Sequence, residues 1–206
     1  FIIGSFAQMQ KFSEPFLEFL NTILRKEISL KVLLAGPGDD SLVRSKLIEF
    51  IGQGRAIILP TVDVNLVGYC LDLGIDTFPS HSGYSVLELM AKNIPVVAKK
   101  DVQLGILEGY RLPETLMSTE AEISELISEL IHDKAKLAEY KNKTDEFMKL
   151  TEKSDLFLEV LDSSLNKLRN RRLRKEIETQ LAEVSRLKHD LEKTIESEEG
   201  YGLKQV

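Results

Sequence analysis

Residues 78–97 read FPSHSGYSVLELMAKNIPVV, and within them Ser80, Ser82, Gly83 and Ser85 stand just ahead of a helical pattern. Small side chains let a ligand approach the backbone closely. The N–H groups that open a helix favour an anion, by about 0.3 to 1 kcal/mol per charge, and phosphate is the usual guest. Glu88 follows Ser85 by three positions and Tyr84 by four, so the three share one helical face. A carboxylate at the phosphate position itself would repel it. One turn further on, it is well placed to accept hydrogen bonds from hydroxyls elsewhere in the ligand. A ribose offers such a pair, and the combination suggests a nucleotide. The plainer account of the same residues is a helix cap followed by a solvated or ion-paired glutamate.

Other candidate positions carry less. Lys11 follows the first apolar run and precedes a helical one, where its cation would suit a diphosphate; a solvated surface lysine is the alternative. The stretch GPGDDS, residues 36–41, lacks the Gly-Lys-Ser/Thr ending of a P-loop and is not GxGxxG, so a strand-to-helix turn capped by Asp39, Asp40 or Ser41 explains it. His81, His132 and His189 are isolated, with no metal-ligand spacing, and no metal is expected. His132 and His189 fall on expected surface helices. His81 alone lies in a candidate loop, where direct contact with a ligand is the lesser of its two readings.

These loops need a scaffold, and the pattern supplies one. FIIGSF, LKVLLA, AIIL, IDTF and IPVVA are short, continuous apolar runs, as expected of strands covered on both faces of a parallel sheet. Helix-length segments separate them, so the connections are crossovers. Phe16, Leu17, Phe19, Leu20, Ile23 and Leu24 draw one stripe on a helix, with Ser13 as its cap and Pro15 tolerated in the first turn. SLVRSKLIEFI reads as another helix. The fold class is therefore α/β: a Rossmann-like parallel sheet with helices on both faces, over residues 1–117. In such a sheet, ligands bind beyond the carboxyl ends of the strands. From 118 to 206 the reading is a helical C-terminal extension. It opens on a Thr119–Glu122 capping box, and Ile177, Val184 and Leu191 repeat by sevens over too short a run to specify a coiled coil. Five basic residues crowd between Arg169 and Lys175, balanced by many nearby glutamates.

Composition sets the outer bounds. The 206 residues carry a net charge of −6, with 43% hydrophobic and 29% charged residues, which fits an ordinary globular protein and argues against a nucleic-acid binder acting through its whole surface. No apolar run approaches the roughly 18 residues of a membrane span. A single cysteine, Cys70, rules out an internal disulfide and fits a reducing, cytoplasmic compartment; its apolar neighbours lead one to expect it buried. The chain opens at Phe1, directly in a strand-like run, which suggests a piece of something longer.

GSFAQMQKFSEPFLEFLNTIL (residues 4–24) and LDLGIDTFPSHSGYSVLELMAKNIPVV (residues 71–97) together resemble the C-terminal, donor-binding half of GT-B glycosyltransferases. Within them the chain looks most like the group of O-linked N-acetylglucosamine transferase and the bacterial cytoplasmic protein glucosyltransferases, over residues 1 to about 145. The resemblance implies transfer of a hexose or N-acetylhexosamine from a nucleoside-diphosphate sugar, with UDP the default nucleotide, to an unknown protein or glycan acceptor. It implies no separate cofactor, and an N-terminal half upstream without which the piece does not turn over. By the same resemblance Gln8 and Lys11 contact the diphosphate, Lys11 with the catalytic role of stabilising the leaving group. Ser82, Gly83, Tyr84 and Ser85 hold the phosphates, and Glu88 binds the ribose. The chain departs from the group at Gly83, Tyr84 and Ser85, where a His and a Thr-Thr pair stand, and at Val64 and Val67 in place of base-contacting His and Arg. Base contacts are then expected from the backbone of Pro60 to Asp63. A non-enzymatic GT-B-like assembly module and a sugar-nucleotide epimerase are the competing readings.

Overall fold

The computed structural model describes residues 1–101 and 104–151, the side chains of 105–107 excepted. Two compact units divide the chain, Phe1–Leu156 and Phe157–Val206. The second lies outside the described residues. So do the long helices expected beyond 151, His189, the heptad-spaced Ile177, Val184 and Leu191, and the basic run from Arg169 to Lys175.

The first unit is built on a parallel sheet of β1 (Ile2–Phe6), β2 (Lys31–Ala35), β3 (Ala56–Leu59), β4 (Leu73–Ile75), β5 (Val96–Lys99) and β6 (Leu116–Met117), in the order β3-β2-β1-β4-β5-β6. Central strands are buried on both faces, as their unbroken apolar runs require. Gly4 of β1 pairs with Leu33 of β2 on one side and Gly74 of β4 on the other. The order reverses between β1 and β4, and that reversal opens a crevice at the carboxyl ends of those two strands.

Helices follow the sequence pattern. In α1 (Glu14–Lys26), the stripe from Phe16 to Leu24 is buried, Ser13 Oγ accepts from the Phe16 N–H, and Pro15 sits in the first turn. The stretch read as one helix, SLVRSKLIEFI, is two, α2 (Ser41–Lys46) and α3 (Ile48–Gly52), because Leu47 leaves helical geometry to place its side chain in the core. After a short α4 (Val64–Val67) comes α5 (Tyr84–Met90). The Thr119–Glu122 capping box forms as expected and opens α6 (Glu120–His132), whose Ile123, Leu126, Ile127 and Leu130 join the same core. Glu27, at the end of α1, accepts from Ser128 Oγ at 2.5 Å and pairs with His132 Nε2, tying α1 to α6. α7 (Lys134–Thr151) completes the unit.

Three details differ from the sequence reading. The strand expected over IDTF lies earlier, at Leu73–Ile75, because Asp76 and Thr77 spend their side chains on the following turn. β6 was not expected; two residues carry too little pattern to stand out. Cys70 is exposed, not buried, because the segment from α4 to β4 runs along the surface with Leu66 and Tyr69 also exposed.

The loops at the crevice are knitted together by backbone. The N–H groups of Ala7 and Met9 donate to the carbonyls of Ala35 and Pro37 at 3.0 and 2.9 Å. Gly36 is required where these loops cross, since a Cβ there would lie 1.7 Å from the Ala7 carbonyl oxygen. Gly36→Ala is expected to cost about 1 to 3 kcal/mol in urea unfolding. Gly52→Ala, whose Cβ meets nothing within 4 Å, should instead stabilise the protein by roughly 0.5 kcal/mol.

Candidate functional site

The β4–α5 loop, residues 76–83, is held from three sides. Phe78 is buried against α1, edge-on to Phe16 at 5.3 Å and to Phe19 at 5.7 Å, while the Lys99 ammonium lies over its outer face. From the β1–α1 turn, Ser13 Oγ donates to the Phe78 carbonyl at 2.6 Å and Lys11 Nζ donates to the His81 carbonyl at 2.6 Å. Thr77 Oγ1 donates to the Ser80 carbonyl. The turn carrying Lys11 and the loop carrying Ser82 therefore meet, although seventy positions separate Lys11 from His81.

Beneath the loop is a buried group of charges. Asp76, fully buried at the end of β4, accepts at Oδ1 from the Ser82 N–H (2.7 Å) and hydroxyl (2.5 Å). Its Oδ2 faces His81 Nδ1 at 3.1 Å and accepts from Arg111 Nε (3.1 Å) and Nη2 (2.8 Å). The far ring nitrogen of His81 lies 3.1 Å from Asp101 Oδ1. Burial alone would push the Asp76 carboxyl up, but His81, the Arg111 charge and the two Ser82 donors outweigh it and lower it from 3.8 to about 2. Burial likewise disfavours the charged His81 ring, yet the two carboxylates raise it above its ordinary 6.5.

Above this group, a cleft of about 200 Å³ opens at the crevice between β1 and β4. Phe6, Ala7 and Gln8 line it from the β1 loop, and Ala35, Gly36 and Pro37 from the β2 loop. Thr61, Val62 and Val64 form a third wall, and Ser82 and Ser85 complete the lining. A larger hollow of about 420 Å³ between α1 and α6 is a poorer candidate for a phosphate: its lining carries the carboxylates of Glu18 and Glu120 and no cationic side chain.

The expected residues fall around the cleft as follows. Gln8, Ser82 and Ser85 line it. Lys11 is half-buried and anchored on the neighbouring carbonyl. Both Ser82 donors are already committed to Asp76, whereas the N–H groups of Gly83, Tyr84 and Ser85 have no acceptor among the described residues. Gly83 holds φ at +74°, a conformation that favours glycine. Tyr84 is 83% exposed. Glu88 is exposed one turn beyond Ser85, outside the cleft lining, and its carboxylate makes no ion pair among the described residues. Val64 stands in the third wall; Val67, one helical turn on, does not.

No protein-family model matches this sequence, and no curated protein is found similar to it. Solved structures are similar in fold. A mutant O-GlcNAc transferase of Thermobaculum terrenum superposes with a TM-score of 0.66 at 19% identity, over 87% of this chain and 37% of that one. HepE of Anabaena, in complex with UDP and glucose, gives 0.58 at 14% identity over 82% of this chain and 48% of that one. The C-terminal domain of a glycosyl transferase group 1 family protein, LpcC, from Francisella tularensis gives 0.54 at 17% identity, over 75% of this chain and 87% of that domain. The fold is that of the C-terminal half of a GT-B glycosyltransferase. This chain spans less than half the length of the first two.

On this GT-B scaffold, sequence reasoning missed Asp76, Asp101 and Arg111. Asp76 was hidden inside an apparent strand. Arg111 lies in no motif; its burial follows only from a partner 35 positions away. His81 was noticed, but its side chain faces inward, between carboxylates.

The shifts of Asp76 and His81 set opposite limits on stability. A carboxyl lowered by folding stabilises above its ordinary 3.8, and that contribution, about 2 kcal/mol, is lost as pH falls toward 2. A raised histidine stabilises below 6.5 and loses that contribution as pH climbs through its folded value. Urea midpoints should therefore be highest between about pH 4 and 6.5 and fall on both sides. In Asp76→Ala, leaving Arg111 and His81 without their shared partner is expected to cost about 3 to 5 kcal/mol.

Proposed function

We propose that this chain is the nucleotide-sugar-binding half of a glycosyltransferase, one that moves a hexose or N-acetylhexosamine from a nucleoside-diphosphate sugar to an acceptor held by another part of the protein. The observation that carries this reading is the cleft at the strand-order reversal, lined by Gln8, Ser82 and Ser85, beside a loop whose His81 carbonyl anchors the Lys11 ammonium. In it, the diphosphate lies against the N–H groups of Gly83, Tyr84 and Ser85, with the Gln8 amide on the near side. Lys11 spends one donor on the His81 carbonyl and keeps the other two for phosphate oxygens. When the sugar leaves, negative charge grows on the departing diphosphate. Donors already fixed in place stabilise that charge without reorganising, commonly by a few kcal/mol each.

Glu88 accepts from the ribose hydroxyls one turn farther along α5. The base lies against Thr61, Val62 and Val64, an apolar wall whose polar contacts come from backbone. UDP is the nucleotide this reading adopts, supported by the UDP found with the HepE fold. Acceptor and general base belong to the N-terminal half.

Calorimetric titration of UDP, GDP and dTDP tests the proposal. Binding of one or more diphosphates is expected, and Lys11→Ala should weaken it about 10- to 100-fold, the range of a charge-assisted hydrogen bond, while leaving uridine binding unchanged. Glu88→Ala should weaken UDP and uridine alike. If no nucleotide binds to the folded protein, the non-enzymatic assembly reading replaces this one.

A further inference from the structure

A neutral imidazole has one N–H to donate, whereas both ring nitrogens of His81 lie 3.1 Å from carboxylate oxygens, Asp76 on one side and Asp101 on the other. Carboxylates at ordinary pH only accept. Only the doubly protonated ring satisfies both contacts, and a neutral ring would hold a lone pair against a carboxylate oxygen. Water offers little relief, because the His81 side chain is 1% exposed. The raised affinity of His81 for its second proton agrees with this geometry.

The groups facing His81 come from every element around it. Asp76 ends β4 and Asp101 follows β5. Arg111 reaches Asp76 Oδ2 from beyond the residue 105–110 turn, and Lys11 binds the His81 carbonyl from the β1–α1 turn. The carboxylates contact the ring nitrogens themselves, whereas Arg111 reaches the ring only through Asp76 and Lys11 only through the backbone carbonyl, so the charges touching the ring are both negative. The next residue, Ser82, hangs on the same Asp76 carboxylate and, with Ser85, lines the cleft.

We propose that His81 is a positioning residue: its doubly protonated ring clamps the β4–α5 loop between Asp76 and Asp101, and the loop keeps its cleft-binding geometry only while that ring is charged. What the cleft then binds rests on the nucleotide reading above; the clamp itself does not. Deprotonation breaks one of the two links; Asp101, whose Oδ1 also accepts from the Leu104 N–H at 3.0 Å, is the less buried of the two partners. Ligand affinity at the cleft thus falls with rising pH although His81 itself does not touch the ligand.

The test follows the Ser82 amide by NMR, and UDP affinity by calorimetry, across pH 5.5–9.5 in the wild type, Asp101→Asn and His81→Asn. The Ser82 amide should shift with a midpoint above 6.5 in the wild type. That midpoint should move down by about one pH unit or more in Asp101→Asn, and the transition should vanish in His81→Asn. UDP affinity should drop about tenfold or more across the wild-type midpoint and stay flat in His81→Asn. A flat Ser82 profile in the wild type, which needs no variant to fold, overturns the clamp, as does UDP binding with the same affinity throughout. A titrating Ser82 amide in a protein that binds UDP at no pH upholds the clamp and overturns the nucleotide reading instead.

Discussion

A single buried carboxylate governs the shape of this site. Asp76 takes hydrogen bonds from five donor groups spread over a histidine, an arginine and a serine, none of which is on its own strand. An ionised carboxyl removed from water is costly unless nearly every lone pair is met. Here that requirement works as a constraint on the chain: the loop after β4 must fold back to bring Ser82 to one oxygen, and the chain after β5 must return Arg111 to the other. The large penalty for any half-formed version selects this arrangement over looser ones.

The constraint reaches the cleft through α1 and the turn before it. β1 and β4 are neighbours in the sheet, so the segments leaving them emerge side by side. The first supplies Lys11 and Ser13, which donate to carbonyls of the second, and the aromatic face of α1 receives Phe78. The loop's carbonyls are thus satisfied from the β1 side and its early N–H from below. The N–H groups of residues 83–85, which open α5 beside the cleft-lining Ser82 and Ser85, have no acceptor among the described residues and, as at any helix start, are open to one from outside.

Much of the frame was legible in the sequence, because burial on both faces writes itself as unbroken Val, Ile and Leu runs. The Ser13 cap, the α1 stripe and the Thr119–Glu122 capping box were legible for a similar reason: each is a local pattern whose partners lie within a few residues. The small-residue loop and Lys11 were visible by type. What could not be read was how they are supported. Ser82 looked like a phosphate donor and spends both its donors on Asp76; Asp76 looked like part of a strand; Arg111 looked like any charged loop residue. The short β6, the break at Leu47 and the surface course of Cys70 are likewise set by packing between distant segments.

Why the support is ionic at all is a question of direction. Apolar packing is non-directional, and Phe78 against α1 fixes where the loop sits without fixing which way its N–H groups point. Orienting a peptide unit needs a hydrogen-bond acceptor at a defined place, and a carboxylate offers two oxygens about which several donors can be arranged. Replacing the whole group by hydrophobic residues of equal volume would keep the sheet, as buried ion pairs elsewhere are often dispensable for stability. It would release the Ser82 amide, and with it the direction of the three N–H groups that follow. Seen this way the charges under the loop belong to the site as much as the residues that line it, since they decide whether the donors are aimed before any ligand arrives.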